Sequence, residues 1–277
     1  MRCLWFLLAV LIAPTSAALE LSGEPVQGGL MFGRTEPGAR VWLDDTEVLV
    51  SADGHFVIGF GRDENGSREL RVAAPDGTPA RRTLDVAPRD WAIERVDGLP
   101  PRTVTPEPEA AERIRAEATL IANARGTRAL QAHYANGFRW PAHGRISGVY
   151  GSQRILNGEP RRPHFGLDVA APTGTAVHAP ADGVITLAHP DMYYSGGTII
   201  LDHGQGLSST FLHLSAILVE PGTTVRQGDL IGRIGATGRA SGPHLDWRMN
   251  WLDRRVDPQR LVGAMPGDAA RETYFSE

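Results

Sequence analysis

The chain has 277 residues, 42% of them hydrophobic and 22% charged, with a formal net charge of -4. These values exclude a mostly disordered chain, and the near balance of charge argues against a nucleic-acid surface or a solvated acidic tail. All 28 basic side chains are Arg, which carries no functional weight.

The first residues place Arg2 before an apolar run from Leu4 to Ala13, then Pro14 and the small residues Thr15 to Ala18. This layout predicts a signal peptide over 1–17 and an exported protein, periplasmic by preference, with no membrane anchor after cleavage. The run is short of the roughly 20 apolar residues that span a bilayer. Cys3, the only cysteine, falls inside it. The mature chain then has no thiol, so disulfides and cysteine catalysis are excluded and any metal must be held by His, Asp or Glu.

From 18 to 100 short alternating segments separated by Gly, Pro, Asp and Asn turns predict a small β-sandwich, with Asp53-Gly54 and Asp76-Gly77 as tight turns. It assembles no reactive groups and reads as a binding or positioning module. Residues 101–139 predict a Pro-rich linker and a connecting helix, acidic in its first turn. From 140 to 263 the chain returns to short, glycine-rich β segments, followed by a tail over 264–277. The expected fold class is mainly β.

Six of the nine histidines fall between His164 and His244. Three stretches carry the chemistry: Arg-Pro-His164-Phe-Gly166-Leu-Asp168, Phe-Leu-His213-Leu-Ser, and Ser-Gly-Pro-His244-Leu-Asp246-Trp. In a strand His244 and Asp246 share a face, with Cα atoms roughly 6.6 Å apart. His164 and Asp168 would be about 13 Å apart if fully extended, so the segment must bend, and Gly166 is the residue placed to permit it. His203 is expected to cap a turn. Tyr193, Tyr194, Arg154 and Asn157 are candidates for the border of a substrate groove.

The stretch from Trp140 to Pro258 resembles the catalytic domain of the lysostaphin and LytM type zinc endopeptidases. Framing motifs carry the resemblance: GVYGSQR, HFGLDVAAPTGTAVHAPADGVI, IILDHGQGL, FLHLS and VRQGDLIGRIGATGRASGPHLDW. It implies an antiparallel β-sheet metallopeptidase domain, one zinc ion on His164 and Asp168, and catalytic histidines at His213 and His244. The family's third ligand is the second His of a His-x-His motif; here that position is Asp246. Asp binds zinc at about the same distance as His, so Asp246 is expected to complete the metal site. Two carboxylates make the site oxygen-rich, which admits a harder divalent ion and weakens Lewis acidity.

The resemblance also implies peptidoglycan as substrate and hydrolysis of a peptide bond in a stem or cross-link. Two alternatives use the same fold: an inactive wall-binding protein or activator of another hydrolase, and a protease for ordinary proteins.

Overall fold

The computed structural model describes residues 19–96, 110–156 and 158–267. The expected signal peptide, the prolines between 97 and 109, Asn157 and the tail beyond 267 lie outside the described residues. Among the described residues, no helix is long and apolar enough to cross a membrane.

The first part of the chain contributes β1 (Leu19–Gly23), β2 (Leu30–Thr35), β3 (Arg40–Leu43), β4 (Thr46–Val48), β5 (His55–Gly59), β6 (Gly66–Ala73), β7 (Pro79–Val86) and β8 (Ile93–Val96), followed by the helix α1 (Ala111–Arg125). The second part contributes β9 (Arg145–Gly148), β10 (Gln153–Leu156), β11 (Glu159–Pro160), β12 (Leu167–Ala170), β13 (Ala176–His178), β14 (Gly183–Met192), β15 (Gly196–Asp202), β16 (Leu207–Ile217), β17 (Thr224–Val225), β18 (Leu230–Ile234), β19 (His244–Trp251) and β20 (Arg254–Val256). A short helix α2 (Gln259–Val262) ends it. The protein is mainly β, as its alternating segments and turn residues require.

In the first part the strands form two sheets, β1-β2-β5 and β4-β3-β6-β7, with Val41, Leu43, Phe56, Ile58 and Leu70 buried. The second part forms one ten-stranded sheet whose main path is β17-β14-β15-β16-β19-β12-β9. Its central strands are long and antiparallel because glycine-ended turns such as Gly204-Gln205-Gly206 reverse the chain tightly. Gly206 and Gly204 have φ of 76° and 83°, a region that favours glycine.

Strand β19 shows how the sequence writes the sheet. Leu245, Trp247, Met249 and Trp251 are all at most 1% exposed, and they alternate with His244, Asp246, Arg248 and Asn250. The apolar set packs into the core with Trp140, Leu167 and Phe211, and each fully buried side chain of this size contributes about 1.5–3 kcal/mol. The polar set turns to the other face.

The two parts share one continuous apolar core, which runs from Phe56 and Ile58 to Trp251 and Val256. A Cβ on Gly59 would sit 3.1 Å from atoms of Leu30, Trp251 and Val256, so the contact there is close packed. Strand β8 leaves the first two sheets and pairs in parallel with β10, which pairs with β11. The linker helix lies against the large sheet: Arg113 bonds Asp191, Glu117 accepts the Tyr193 N–H, and Arg125 donates to Thr210 Oγ1.

His203 differs from expectation. It is fully buried, with Nδ1 donating to the Asp182 carbonyl at 2.8 Å and Nε2 accepting from Ser209 Oγ at 2.8 Å, and it is Asp202 whose carboxylate caps the turn at Gly204 N. Burial holds the His203 imidazole down to about 4. Its neutral form is favoured by folding, so its contribution is complete above the unfolded value near 6.5 and is lost as pH falls toward 4. The expected loss is about 3 kcal/mol over that interval. Denaturant unfolding at pH 7, 5.5 and 4.5 checks this: a His203→Gln variant, whatever its own stability, should show a flatter pH dependence.

Candidate metal centre and active-site cleft

The site is built on β19 and its neighbours. The register of β12 and β19 places Asp168 opposite Asp246 and Ala170 opposite His244, and the register of β16 and β19 places Leu212 opposite Asp246. Opposed residues of an antiparallel pair point to the same side, so the two carboxylates stand together. His164 joins them from the segment before β12, where its N–H donates to the Ser152 carbonyl and its own carbonyl accepts from Gly151. One ligand atom from each of His164, Asp168 and Asp246 lies within 4.8 Å of the others.

Two glycines make this convergence possible. A Cβ at Gly166 would lie 2.0 Å from Asp246 Oδ1, and one at Gly148, opposite Asp168 in β9, would lie 2.2 Å from Asp168 Oδ2. Gly166 therefore provides room as well as the bend expected of it, which lies directly before β12. Gly166→Ala is expected to lower metal affinity at least tenfold without removing any donor, measured by competition with a chromogenic chelator, while far-UV circular dichroism stays native.

The donors fit a divalent ion. His164 Nε2 and Asp168 Oδ1 are 3.1 Å apart, yet both are buried and neither makes a well-formed hydrogen bond. Two atoms that each lie about 2.0–2.2 Å from one tetrahedral ion sit at roughly this separation. Burial alone would raise the Asp246 carboxyl, but the charge of Arg248 and the hydrogen bonds from it outweigh that and hold it below the usual carboxylate range. Asp246 is thus ionised and available as a donor.

Arg248 is the functional residue that sequence reasoning missed. Its Nε lies 3.0 Å from each Asp246 oxygen and its Nη2 lies 2.5 Å from Oδ2. The signal was present: two residues apart on one strand, Asp246 and Arg248 share a face. A carboxylate has about four lone-pair positions, so Asp246 can hold the guanidinium and still bind an ion.

The two histidines stand beside this set. Their ring centroids are 4.7 Å apart. His213 Nδ1 lies 2.8 Å from the Thr237 carbonyl and His244 Nδ1 lies 2.8 Å from the Gly242 carbonyl. A carbonyl only accepts, so Nδ1 carries a proton in each ring, and Nε2 is the nitrogen left to exchange one. Burial lowers the His213 imidazole below its ordinary value, which keeps it neutral and able to take a proton near pH 7. His213 also has φ of 65°, an uncommon conformation for a side chain branching at an aromatic ring. The β15–β16 pairing shifts register between Phe211 and Leu214, across His213, and such local cost is typical of a functional position.

A cleft of 1410 Å³ opens over His164, Asp168 and His244. Ile93 and Glu94 of β8 line one side and Tyr194 and Arg239 another. Arg154 borders it as expected, paired with Glu94 at 2.8 Å, while Tyr193 instead packs on Tyr194 and on α1. The first part of the chain does more than line the rim. Trp91 fills the space at Gly151, where a Cβ would be 2.0 Å from its ring, and Arg62 Nε donates to the Gly151 carbonyl at 2.9 Å. Gly151 in turn holds His164, so Arg62 and Trp91 support the first candidate ligand from behind.

Comparison with known proteins agrees with this geometry. Residues 162–258 match Peptidase family M23. A solved structure from Pseudomonas aeruginosa, described as a peptidase M23, is 31% identical, covers 87% of this chain and 96% of its own, and superposes with a TM-score of 0.68. The chain belongs to peptidase family M23. Among curated M23-like relatives, the peptidoglycan DD-endopeptidase ShyA of Vibrio cholerae is 40% identical over 100 residues, 35% of this chain and 23% of its own. The DD-carboxypeptidase/endopeptidase Mpg of Neisseria meningitidis is 40% identical over 105 residues, 38% of this chain and 24% of its own. The match thus spans about a quarter of the length of these relatives.

Proposed function

We propose that this M23 protein is an exported zinc metalloendopeptidase that hydrolyses peptide bonds in peptidoglycan, in stem peptides or cross-links. His164, Asp168 and Asp246 hold the ion, and His213 and His244 are the catalytic pair. The observation that carries the reading is the convergence of three donors, with the paired rings of His213 and His244 beside them and His164, Asp168 and His244 lining the cleft. The name of ShyA, a peptidoglycan DD-endopeptidase, supplies the substrate class.

Charge supports zinc in this donor set. Asp168 and Asp246 contribute two negative charges and Arg248 returns one positive, the same sum as one carboxylate with two neutral imidazoles. Arg248 thereby offsets the loss of Lewis acidity that a second carboxylate alone would impose. A divalent ion held there supplies Lewis acidity toward a water and the scissile carbonyl.

The chain's own groups do the rest. His213, neutral and fixed by Thr237, takes the proton of the attacking water at Nε2. The proton that His213 takes is the one delivered to the departing amine, and His244, when it also carries a proton at Nε2, donates from the cleft side toward the carbonyl oxygen as charge develops. Each role needs the backbone carbonyl that fixes the ring. His213→Ala and His244→Ala are each expected to lower kcat by about 10²–10³-fold with metal content unchanged. Elemental analysis beside single-turnover digestion checks this, and a loss of metal in either variant would reassign that histidine as a ligand.

The reading is tested on the mature protein by metal analysis together with incubation on purified sacculi and on casein. About one zinc per chain and soluble fragments from sacculi alone support it. Fragments from casein alone indicate a protease for ordinary proteins. No metal and no digestion, with retained sacculus binding, indicate a wall-binding protein.

A further inference from the structure

The cleft carries a charge opposite to that of the chain. The whole sequence has a formal net charge of -4. The cleft is lined by Arg145, Arg154, Arg161, Arg162, Arg239 and Arg248, against the carboxylates of Glu94 and Asp168. Arg154 is answered by Glu94, and Arg248 by Asp246. Among the described residues, the other four have no ion-pair partner. Arg162 and Arg239 lie over the rings of Phe165 and Tyr194, at 5.5 Å and 4.9 Å, and Arg161 Nε is buried without a hydrogen-bond acceptor.

The excess continues behind the cleft. Arg125, at the end of α1, donates to Thr210 Oγ1 at 2.9 Å, and Thr210 lies opposite Arg248 across the β16–β19 ladder. Arg125 Nε has no acceptor. Arg255 donates to Asn250 Oδ1 at 3.0 Å, and Asn250 shares the face of Arg248 on β19. Burial first, then the charges of neighbouring arginines, hold Arg125 down to about 9 and Arg255 to about 10. Arg162 and Arg248 contribute to both, and Asp246 is the only carboxylate that opposes them at Arg255. A divalent ion on the donor set adds positive charge to the same region.

We propose that the cleft wall at Arg162 and Arg248, backed by Arg125 and Arg255, is a subsite for a free carboxylate of the substrate, placed beside the scissile bond. The inference rests on the endopeptidase reading and deepens it: the preferred substrate is an acidic peptide. Guanidinium groups bind carboxylates through paired, charge-assisted hydrogen bonds, and a low-dielectric cleft strengthens them. The place of these arginines in the same cleft as His164 and His244 favours a carboxylate on the peptide being cut over a polyphosphate-type wall polymer bound elsewhere.

The test uses the mature, zinc-loaded protein and two soluble cross-linked stem-peptide dimers that differ only in having free or amidated carboxylates. Binding is read by calorimetry and cleavage by chromatography. The free dimer should bind roughly tenfold more tightly than the amidated one, with a preference that shrinks as salt rises. Arg162→Gln, an exposed substitution, should remove most of that preference through KM, with kcat less affected. Preferential binding without cleavage keeps the subsite and overturns the endopeptidase reading. Equal binding with cleavage, a preference that survives in Arg162→Gln, or displacement of the peptide by inorganic polyphosphate at lower concentration than by the free dimer overturns the subsite.

Discussion

Asp246→Ala is expected to leave less than about a tenth of the native metal and to lower sacculus digestion by at least 10³-fold, about 4 kcal/mol of barrier. Asp246 is one of three donors that converge on the site among the described residues, and it is 2% exposed. The alanine variant has a second defect, since it leaves the half-buried Arg248 guanidinium without its partner, a cost of about 1–3 kcal/mol. Asp246→Asn separates the two effects. The amide oxygen still accepts from Arg248, so thermal unfolding should stay near native, while the neutral donor binds the ion poorly and metal content should fall as in the alanine variant. Native metal content and digestion in both variants would place the third ligand elsewhere.

The second large effect concerns Arg248. In Arg248→Met the Asp246 carboxylate is buried without compensation, so the metal-free protein, kept in chelator, should lose about 3–5 kcal/mol. Zinc then provides the missing positive charge. The thermal shift on adding zinc should be larger in the variant than in the native protein, and the apparent affinity should rise by roughly tenfold or more. Activity should move the other way, because a more negative site acidifies its water less. The acid limb of the pH–rate profile is expected to shift upward by about one unit. The double variant Asp246→His, Arg248→Gln keeps the overall charge and should recover metal content that Asp246→His alone lacks. Identical zinc-induced shifts in native protein and Arg248→Met would show that the arginine has no electrostatic tie to the site.

Much of this was legible in residue order. The pattern His-Leu-Asp-Trp-Arg-Met-Asn-Trp alternates without a break, so the strand, its buried face and the grouping of His244 with Asp246 follow from periodicity. The same alternation held Arg248, but attention to metal donors passed over a cation. The bend at Gly166 was legible, but the room it leaves was not, because the atom it makes room for comes from a strand some 80 residues later. The left-handed backbone of His213 had no local sign, as it depends on the register of β15, β16 and β18 together. The parallel pairing of β8 with β10 was equally invisible, since it joins segments that no turn or repeat connects in sequence.

That pairing has a consequence for how such an enzyme can change. The strand that forms one rim of the groove, and the Trp91 and Arg62 wedge behind His164, are supplied by the first part of the chain, whereas Asp168 and Asp246 belong to the ten-stranded sheet of the second. The reactive centre is therefore split between a constant part and an attachable part. Exchanging the first part for another would reshape which peptides can lie in the groove and how firmly one ligand is held, while leaving the two carboxylates and their arginine untouched.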